Sequence, residues 1–573
     1  MLSRTFPASS ERAFARLRDR PEVSVLIVGG GVNGVGLLRE LALQGVDALL
    51  VEKSDFCSAT SAAGTRVIHG GLRYLENAEF RLVREALRER NLLLKNAPHC
   101  VKPLATTIPL FDWTSGILPA IRNLMGFATK PGSRGALLVR TGLAWYDYLA
   151  GRESPLPRHR FRRRAAALSV RPALNPRIIG TATYYDAQVV CPERLCLELV
   201  LDAEGISPEA RALNYVRVRG AAGPAVTLRD EISGETCEVR PRLVANASGP
   251  WIDCINREMH RESGFIGGTK GSHVVLDHPE LFAATNGEMI YFVNLDGRIC
   301  IFYPFGDKII AGATDIPTGA PEEICTEEEV DYILDSMRLA FPGIHVDRSH
   351  VVFRFCGVRP LPRSHALTPG QVSRDHSYPV LPPSHGIDFP IYSLVGGKWT
   401  TFRAFAEQVT GEILRQLDRR RVRQSEDLGI GGGKGYPAPG GAREGWLSRL
   451  EQRTGIAAER LAALFDRYGT RAEEIADYLA AGPDRTLKNH PGYSRREIEF
   501  IVLKERVAHL DDVVLRRTLI GLLGESTRCL LWELAGIAAS ALGWPPEEAA
   551  REVERTAHIL ETVHGVTPEL LDR

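Results

Sequence analysis

Residues 23–52, VSVLIVGGGVNGVGLLRELALQGVDALLVE, restrict what this chain can fold into more than any other stretch. Val23, Val25, Ile27 and Val28 form a β-branched apolar run, the pattern of a parallel strand buried on both faces. It leads into Gly29, Gly31 and Gly34, spaced G-x-G-x-x-G, then into a helical pattern with Val35, Leu38, Ala42 and Leu43 on one face. A second apolar strand, residues 47–51, ends at Glu52. Each part has a physical task. Gly29 permits the tight turn, Gly31 lets backbone N–H groups approach a pyrophosphate, and Gly34 lets helix and strand pack closely. The helix N-terminus offers unsatisfied N–H donors and a positive dipole end to phosphates. Glu52, at the tip of the second strand, suits the hydroxyls of an adenosine ribose, and with no Arg beside it argues against a 2′-phosphate. Glycine spacing alone is a weak sign. Strand, helix and acid around it turn the stretch into a dinucleotide-binding βαβ unit.

A chain of 573 residues is too long for one core, so two or three domains are expected. Hydrophobic content of 44% and charged content of 25% are those of an ordinary globular protein. A net charge of +1 gives no overall field to draw in nucleic acid, so any preference for anions is local. The ten cysteines are scattered without a C-x-x-C, which suits a reducing compartment and argues against a zinc site; no metal is expected. Residues 1–22 are basic, lack a long apolar stretch, and read as a short surface lead-in. No window has the uncharged apolar length of a membrane span.

Small residues dominate 58–65, SATSAAGT, a segment able to lie against a flat or phosphorylated ligand, and His69-Gly70-Gly71 adds bare backbone and an imidazole. Residues 79–96 pattern as an amphipathic helix with Val83, Leu87 and Leu94 inside and Arg81, Arg84, Arg88 and Glu89 outside. Between 111 and 148, Trp113, Ile117, Leu118, Ile121 and Phe127 alternate with Arg122, Lys130, Arg134 and Arg140, a pattern open to a membrane interface or to a helical hairpin on the core. The basic run RHRFRRR at 158–164 reads as a solvated loop or a contact for anionic lipid. Residues 214–249 read as a β-meander, and strands recur from 271 to 313. GGKWTT at 396–401 places glycines before a helix, whose N-terminus can stabilise negative charge on a ligand. Residues 425–445, rich in Gly and Pro, mark a linker, and its G-x-G-K-G lacks the strand and the Ser/Thr of a nucleotide loop. Residues 446–573 read as helical throughout.

The fingerprint together with ATSAAGTRVIHGGLRYLE, NASGPW (246–251), KGSHVVL (270–276), GATD (312–315), GVRPL (357–361), SRD (373–375) and GGKWTTFR (396–403) resembles the FAD-dependent glycerol-3-phosphate dehydrogenase family, among the D-amino-acid-oxidase-like flavoproteins. The resemblance covers nearly the whole chain. It implies an α/β fold: a Rossmann-like FAD-binding domain of the glutathione-reductase type with an inserted antiparallel β-sheet substrate domain (23–424), then the linker, then an all-helical C-terminal domain (446–573) for capping or oligomer contact, with a homodimer as one expectation. The cofactor it implies is FAD, lined by Gly29, Gly31, Gly34, Glu52, Lys53, Thr60, Ser61, Thr65, Arg66, His69, Gly70, Gly71, Ser248, Gly249, Gly396, Gly397, Lys398 and Thr400. Arg66 stands where relatives often carry Lys.

The reaction implied is oxidation of glycerol 3-phosphate to dihydroxyacetone phosphate by hydride transfer to flavin N5, while a base takes the hydroxyl proton. By the same resemblance Arg359 and Arg374 hold the phosphate, and Arg73, Tyr74, His273 and Lys398 stand near the substrate. His273 is the first choice of base, since an unperturbed imidazole suits the task; Arg359 and Lys398 complete the catalytic set. Electrons then pass to a quinone, which fits a peripheral protein on the cytoplasmic membrane face. The alternatives are an oxidase using oxygen and a flavin amine or amino-acid oxidase on the same fold.

Overall fold

The computed structural model describes residues 14–72, 79–115, 135–151, 154–364 and 375–573. The fingerprint strand Glu22–Val28 lies inside an eight-stranded sheet, parallel to Ala48–Val51 on one side and to Thr236–Asn246 on the other. Ala210–Leu213 and Ile391–Ser393 extend the parallel set, and Val380–Leu381 closes one edge antiparallel. The continuous apolar run of the first strand is explained by its two covered faces. Val25 and Ile27 pack under the helices Val32–Leu43, Pro192–Ile206 and Phe402–Gln416, whereas Leu26 and Val28 pack against the meander strands. The meander is Val216–Ala222, Ala225–Asp230 and Thr236–Asn246, and its last strand enters the parallel sheet. Of the segment expected as a surface lead-in, the described residues 14–22 are partly core: Phe14 and Leu17 are buried with Val23, Ile387 and Phe389.

A ten-stranded, largely antiparallel sheet forms the second layer. It contains the strands expected between 271 and 313, with Val351–Arg359 along Thr269–Leu276 and one parallel pairing, Met289–Ile290 with Thr106–Thr107. Its other half is Val101–Leu110 paired along its whole length with Gly180–Val189, strands that the sequence pattern hides. Pro103 and Pro109 obscure the first of them. Both prolines sit beyond the short stretch of Val101–Leu110 that has a neighbour on its second side, so no ladder bond is lost there.

Helix Phe80–Asn96 forms as its periodicity dictates, but Glu89 is buried rather than outside, held by two hydrogen bonds from Arg403 (2.8 and 2.6 Å). The C-terminal helices are not a detached unit. Ile498, Ile501, Leu530, Leu534, Val553 and Leu560 share one core with Val275, Ile301, Tyr303, Ile310 and Phe353 of the second sheet. The opposite face of that sheet, with Val274, Phe302 and Ile309, is covered by Leu281, Ile333 and Phe341. Within the Gly- and Pro-rich stretch 425–445, Ser425, Ile430 and Gly431 are buried. Gly431 N–H donates to Asp202 and Gly432 N–H to Glu198, each at 3.1 Å, while Gly433 and Lys434 N–H donate to the Ile430 and Gly431 carbonyls, so these donors of G-x-G-K-G are spent within the protein.

Candidate active site

A cavity of about 1560 Å³ opens where the two sheets meet, and the fingerprint forms one end of it. Gly29 takes φ +111°, a conformation costly for any residue with a Cβ. A Cβ on Gly34 would stand 1.9 Å from the Gly29 carbonyl oxygen, so the helix can approach the turn only through glycine. Gly31 is the N-cap of Val32–Leu43 and gives it no side-chain cap, leaving the positive end of that helix turned to the cavity wall. Ser61 Oγ accepts the Val32 N–H (3.0 Å), and Thr60 Oγ1 donates to the Val358 carbonyl (2.8 Å), so the small-residue segment is laid along both helix and strand.

Glu52 lines the cavity with its carboxylate gathered onto backbone: Oε2 accepts from Gly30 N–H (2.7 Å) and Oε1 from Ser54 N–H (3.0 Å). Burial pushes this carboxyl up from its ordinary range, while the two N–H donors pull the other way. Lys53 lies over the Trp251 ring at 4.1 Å and pairs with Glu322 at 2.6 Å. Ser248 and Gly249 line the wall beyond the turn, the Ser248 hydroxyl donating to Asn246 Oδ1 (2.5 Å). The residues fit a dinucleotide: a helix end whose N-cap is a bare glycine, turns without Cβ, and an acid at the second strand tip.

Gly396, Gly397, Lys398, Trp399 and Thr400 line the cavity beside the fingerprint helix, where Asn33 Nδ2 donates to the Gly396 carbonyl (3.1 Å), with Gly396 and Gly397 at φ +75° and +89°. The helix they precede begins only at Phe402, with Thr401 as N-cap. Thr400 Oγ1 accepts the His69 N–H (3.2 Å), and Trp399 Nε1 donates to the Ser61 carbonyl (2.8 Å), which ties this loop to the small-residue segment. Arg359 closes the far end of its strand above Gly271, where a Cβ would stand 2.0 Å from its guanidinium. Its Nη1 donates to Asp315 Oδ1 (3.0 Å) and its Nη2 to the Thr314 carbonyl (3.3 Å). Lys398, with a buried Nζ, and Tyr184, Asp186 and Tyr291 share the same cavity.

Several sequence expectations change here. His273 is 1% exposed, stacked on Phe355 (centroids 5.0 Å apart), with Nε2 3.2 Å from Thr65 Oγ1. Thr65 and Phe355 form the cavity wall and His273 lies behind them. Burial, then the positive charges of Arg359 and Arg66, depress its pKa to about 3, so the argument from an unperturbed imidazole does not hold. Gly70 is packed away from the cavity. A Cβ there would meet Leu87 at 2.3 Å and Tyr146 Oη at 2.4 Å, and its N–H donates to Tyr146 Oη (2.9 Å) and Asp186 Oδ1 (3.2 Å). The Arg66 guanidinium is taken up by Glu193 (2.6 Å) and the Val190 carbonyl (3.0 Å). Arg73, Tyr74 and Arg374 lie outside the described residues.

Sequence reasoning missed Asp186, which is buried while its Oδ1 receives Gly70 N–H, Tyr146 Oη (2.6 Å) and Arg90 Nη1 (2.9 Å). Its strand, Gly180–Val189, is itself hidden in the sequence pattern, so no local signal marked the acid. Among the described residues one set of metal-capable groups converges, His99, Cys100 and Glu198. His99 Nε2 and Glu198 Oε2 already face each other at 2.7 Å, and Glu198 also receives Gly432 N–H, a hydrogen-bonded pair rather than an open ligand set.

Comparison with known proteins places these features. A family profile described as FAD dependent oxidoreductase matches residues 24–380, and one described as the C-terminal domain of alpha-glycerophosphate oxidase matches 423–549. A protein named glycerol-3-phosphate dehydrogenase from Synechocystis sp. is 32% identical, over 95% of this chain and 98% of its own. The mitochondrial glycerol-3-phosphate dehydrogenase of Mus musculus is 28% identical over 97% of this chain and 75% of its own. The solved structure of a glycerol-3-phosphate dehydrogenase from Bacillus halodurans, complexed with FAD, superposes with a TM-score of 0.74 at 21% identity, covering 98% of each chain, and shows the shared fold.

Proposed function

This chain belongs to the FAD-dependent oxidoreductase family, and from that premise we propose that it binds FAD and oxidises glycerol 3-phosphate to dihydroxyacetone phosphate. The observation that carries the reading is that Arg359 and Lys398 line the same cavity as the dinucleotide fingerprint, placing cationic groups for a phosphomonoester beside the cofactor bed. Full-length similarity to proteins named for this activity supports the choice of substrate.

FAD supplies, when bound, the acceptor for the hydride that leaves the secondary carbinol carbon. The helix that starts after Gly31 would hold the pyrophosphate at its positive end and Glu52 would hold the ribose. Arg359, its fork steadied by Asp315 and the Thr314 carbonyl, holds the substrate phosphate. Lys398 lowers the cost of negative charge on the reacting oxygen as its proton passes to water. Anaerobic mixing with glycerol 3-phosphate tests this directly. The flavin absorbance must bleach; a flavin that stays oxidised rejects the substrate.

The acceptor we infer is a quinone in an adjoining membrane, on its cytoplasmic face. Among the described residues no helix is long and apolar enough to cross a bilayer. Helix Ala136–Ala150, however, exposes Leu137, Trp145 and Tyr148 along one stripe with Arg140, and Arg158, Arg160, Arg163 and Arg164 are exposed beside it. All ten cysteines are free thiols, as a reducing compartment would keep them. The match of the C-terminal domain to an oxidase profile favours oxygen as the second reading. Reoxidation of the reduced protein by a soluble quinone analogue, compared with oxygen, separates the two.

A further inference from the structure

Asp55 lies just beyond Glu52 and is fully buried. Its Oδ2 accepts from Arg516 Nε (2.8 Å) and Arg517 Nη1 (2.6 Å), and its Oδ1 from Arg517 Nη2 (2.9 Å) and Asn214 Nδ2 (3.0 Å). Both arginines come from the C-terminal helical domain, where Arg516 also grips Asp511 and Asp512 (2.5 Å each) and Arg517 Nε donates to the Glu505 carbonyl (2.8 Å). On the other side of Asp55 the chain is stitched to the site: Ser54 N–H donates to the Glu52 carboxylate, Tyr215 N–H to the Ser54 carbonyl (2.9 Å), and Val216 N–H to the Glu52 carbonyl (2.7 Å). Tyr215 Oη returns to Asp512 (2.6 Å), closing a loop of contacts between the domains. Asp511, Leu515, Arg516 and Arg555 themselves line the cavity that Glu52 lines.

A buried carboxylate shared by two guanidinium groups adds little stability relative to well-packed apolar residues, because its desolvation offsets most of its attraction. It does hold geometry, since each of its oxygens accepts two hydrogen bonds. We propose that Arg516 and Arg517 are positioning residues for the cofactor: by clamping Asp55 they set the turn that presents Glu52, so affinity for FAD depends on a domain that carries none of the glycine fingerprint. The inference rests on the reading of the cavity as an FAD site. Coupling of this kind is reciprocal, so bound FAD also steadies the segment around 508–518.

The test uses the full chain, stripped of flavin and titrated with FAD by fluorescence quenching. Arg517→Met and Asp55→Asn raise the dissociation constant about tenfold or more, and Arg517→Lys by less. Glu204→Gln removes a different contact between the same two domains, to Arg506 at 2.7 Å, and binds FAD like the parent. In the parent protein FAD slows amide exchange at 508–518. Unchanged affinity in Arg517→Met, equal weakening in Glu204→Gln, or exchange indifferent to FAD each overturns the clamp. A parent protein that takes up no FAD at all instead defeats the cofactor reading beneath it.

Discussion

On the proposed reading, Arg359 is a residue prepared for the substrate phosphate. Its guanidinium is set over a bare Gly271 and oriented by Asp315 and the Thr314 carbonyl. Arg359→Met removes the charge-assisted fork, and kcat/KM for glycerol 3-phosphate falls about 10- to 100-fold, mostly through KM, with flavin content unchanged. Steady-state kinetics beside an absorbance spectrum checks it. Two histidines, His273 buried and His564 half-buried, make a prediction of a different kind. Burial lowers the pKa of His273 to about 3 and that of His564 to about 4, the latter against a hydrogen bond to the Arg354 carbonyl. In the unfolded chain both bind a proton as pH falls through the ordinary histidine range, while in the folded chain they do not. Stability is therefore full above that range and is lost on acidification, by up to about 1.4 kcal/mol per pH unit for each histidine. Denaturation midpoints followed from pH 7 to 5 must fall, and His564→Asn must flatten that fall. An equal slope in the variant would remove His564 from the account.

Among the elements, helix Ala136–Ala150 serves two surroundings. Its inner face buries Val139, Leu143 and Tyr146, and Tyr146 Oη holds Asp186 and Gly70 beside the cavity. Its outer face leaves Trp145 53% and Tyr148 75% exposed, on a stripe that a soluble helix would normally fill with polar groups. Replacing both with Glu should abolish co-sedimentation with vesicles containing anionic lipid, while substrate still bleaches the flavin. Retained sedimentation would mean that the membrane contact lies elsewhere. The fingerprint helix is the contrasting case. Its start, turn and partner strand were all readable because each local residue choice, Gly29, Gly31, Gly34 and Glu52, answers to the same geometry.

At the scale of the molecule, the helical C-terminal domain is part of the body of the enzyme. It covers one face of the second sheet and shares a core with it. A chain ending at residue 440 would bare Val275, Ile301, Tyr303, Ile310 and Phe353 to water, an apolar surface of the kind that drives aggregation. Such a truncation is expected to be insoluble, or to run as large aggregates in size-exclusion chromatography. A monodisperse, yellow fragment would show the two domains to be separable.

Local rules sufficed for the dinucleotide unit, the meander and most helices, because propensity, apolar period and turn chemistry act over neighbouring residues. They failed where a residue's meaning comes from a distant partner. Glu89 read as surface until Arg403 met it, Asp186 went unread because its donors come from Gly70, Arg90 and Tyr146, and residues 425–445 resembled a spacer until Glu198 and Asp202 claimed their N–H groups. His273 lies behind Thr65 and Phe355, and burial there changes its proton affinity. The identity of the cofactor bed was thus written in the order of the residues. The charge state, the partners of the buried ions and the joining of the two domains were decided by packing, since desolvation and long-range ion pairing exist only once the chain has closed on itself.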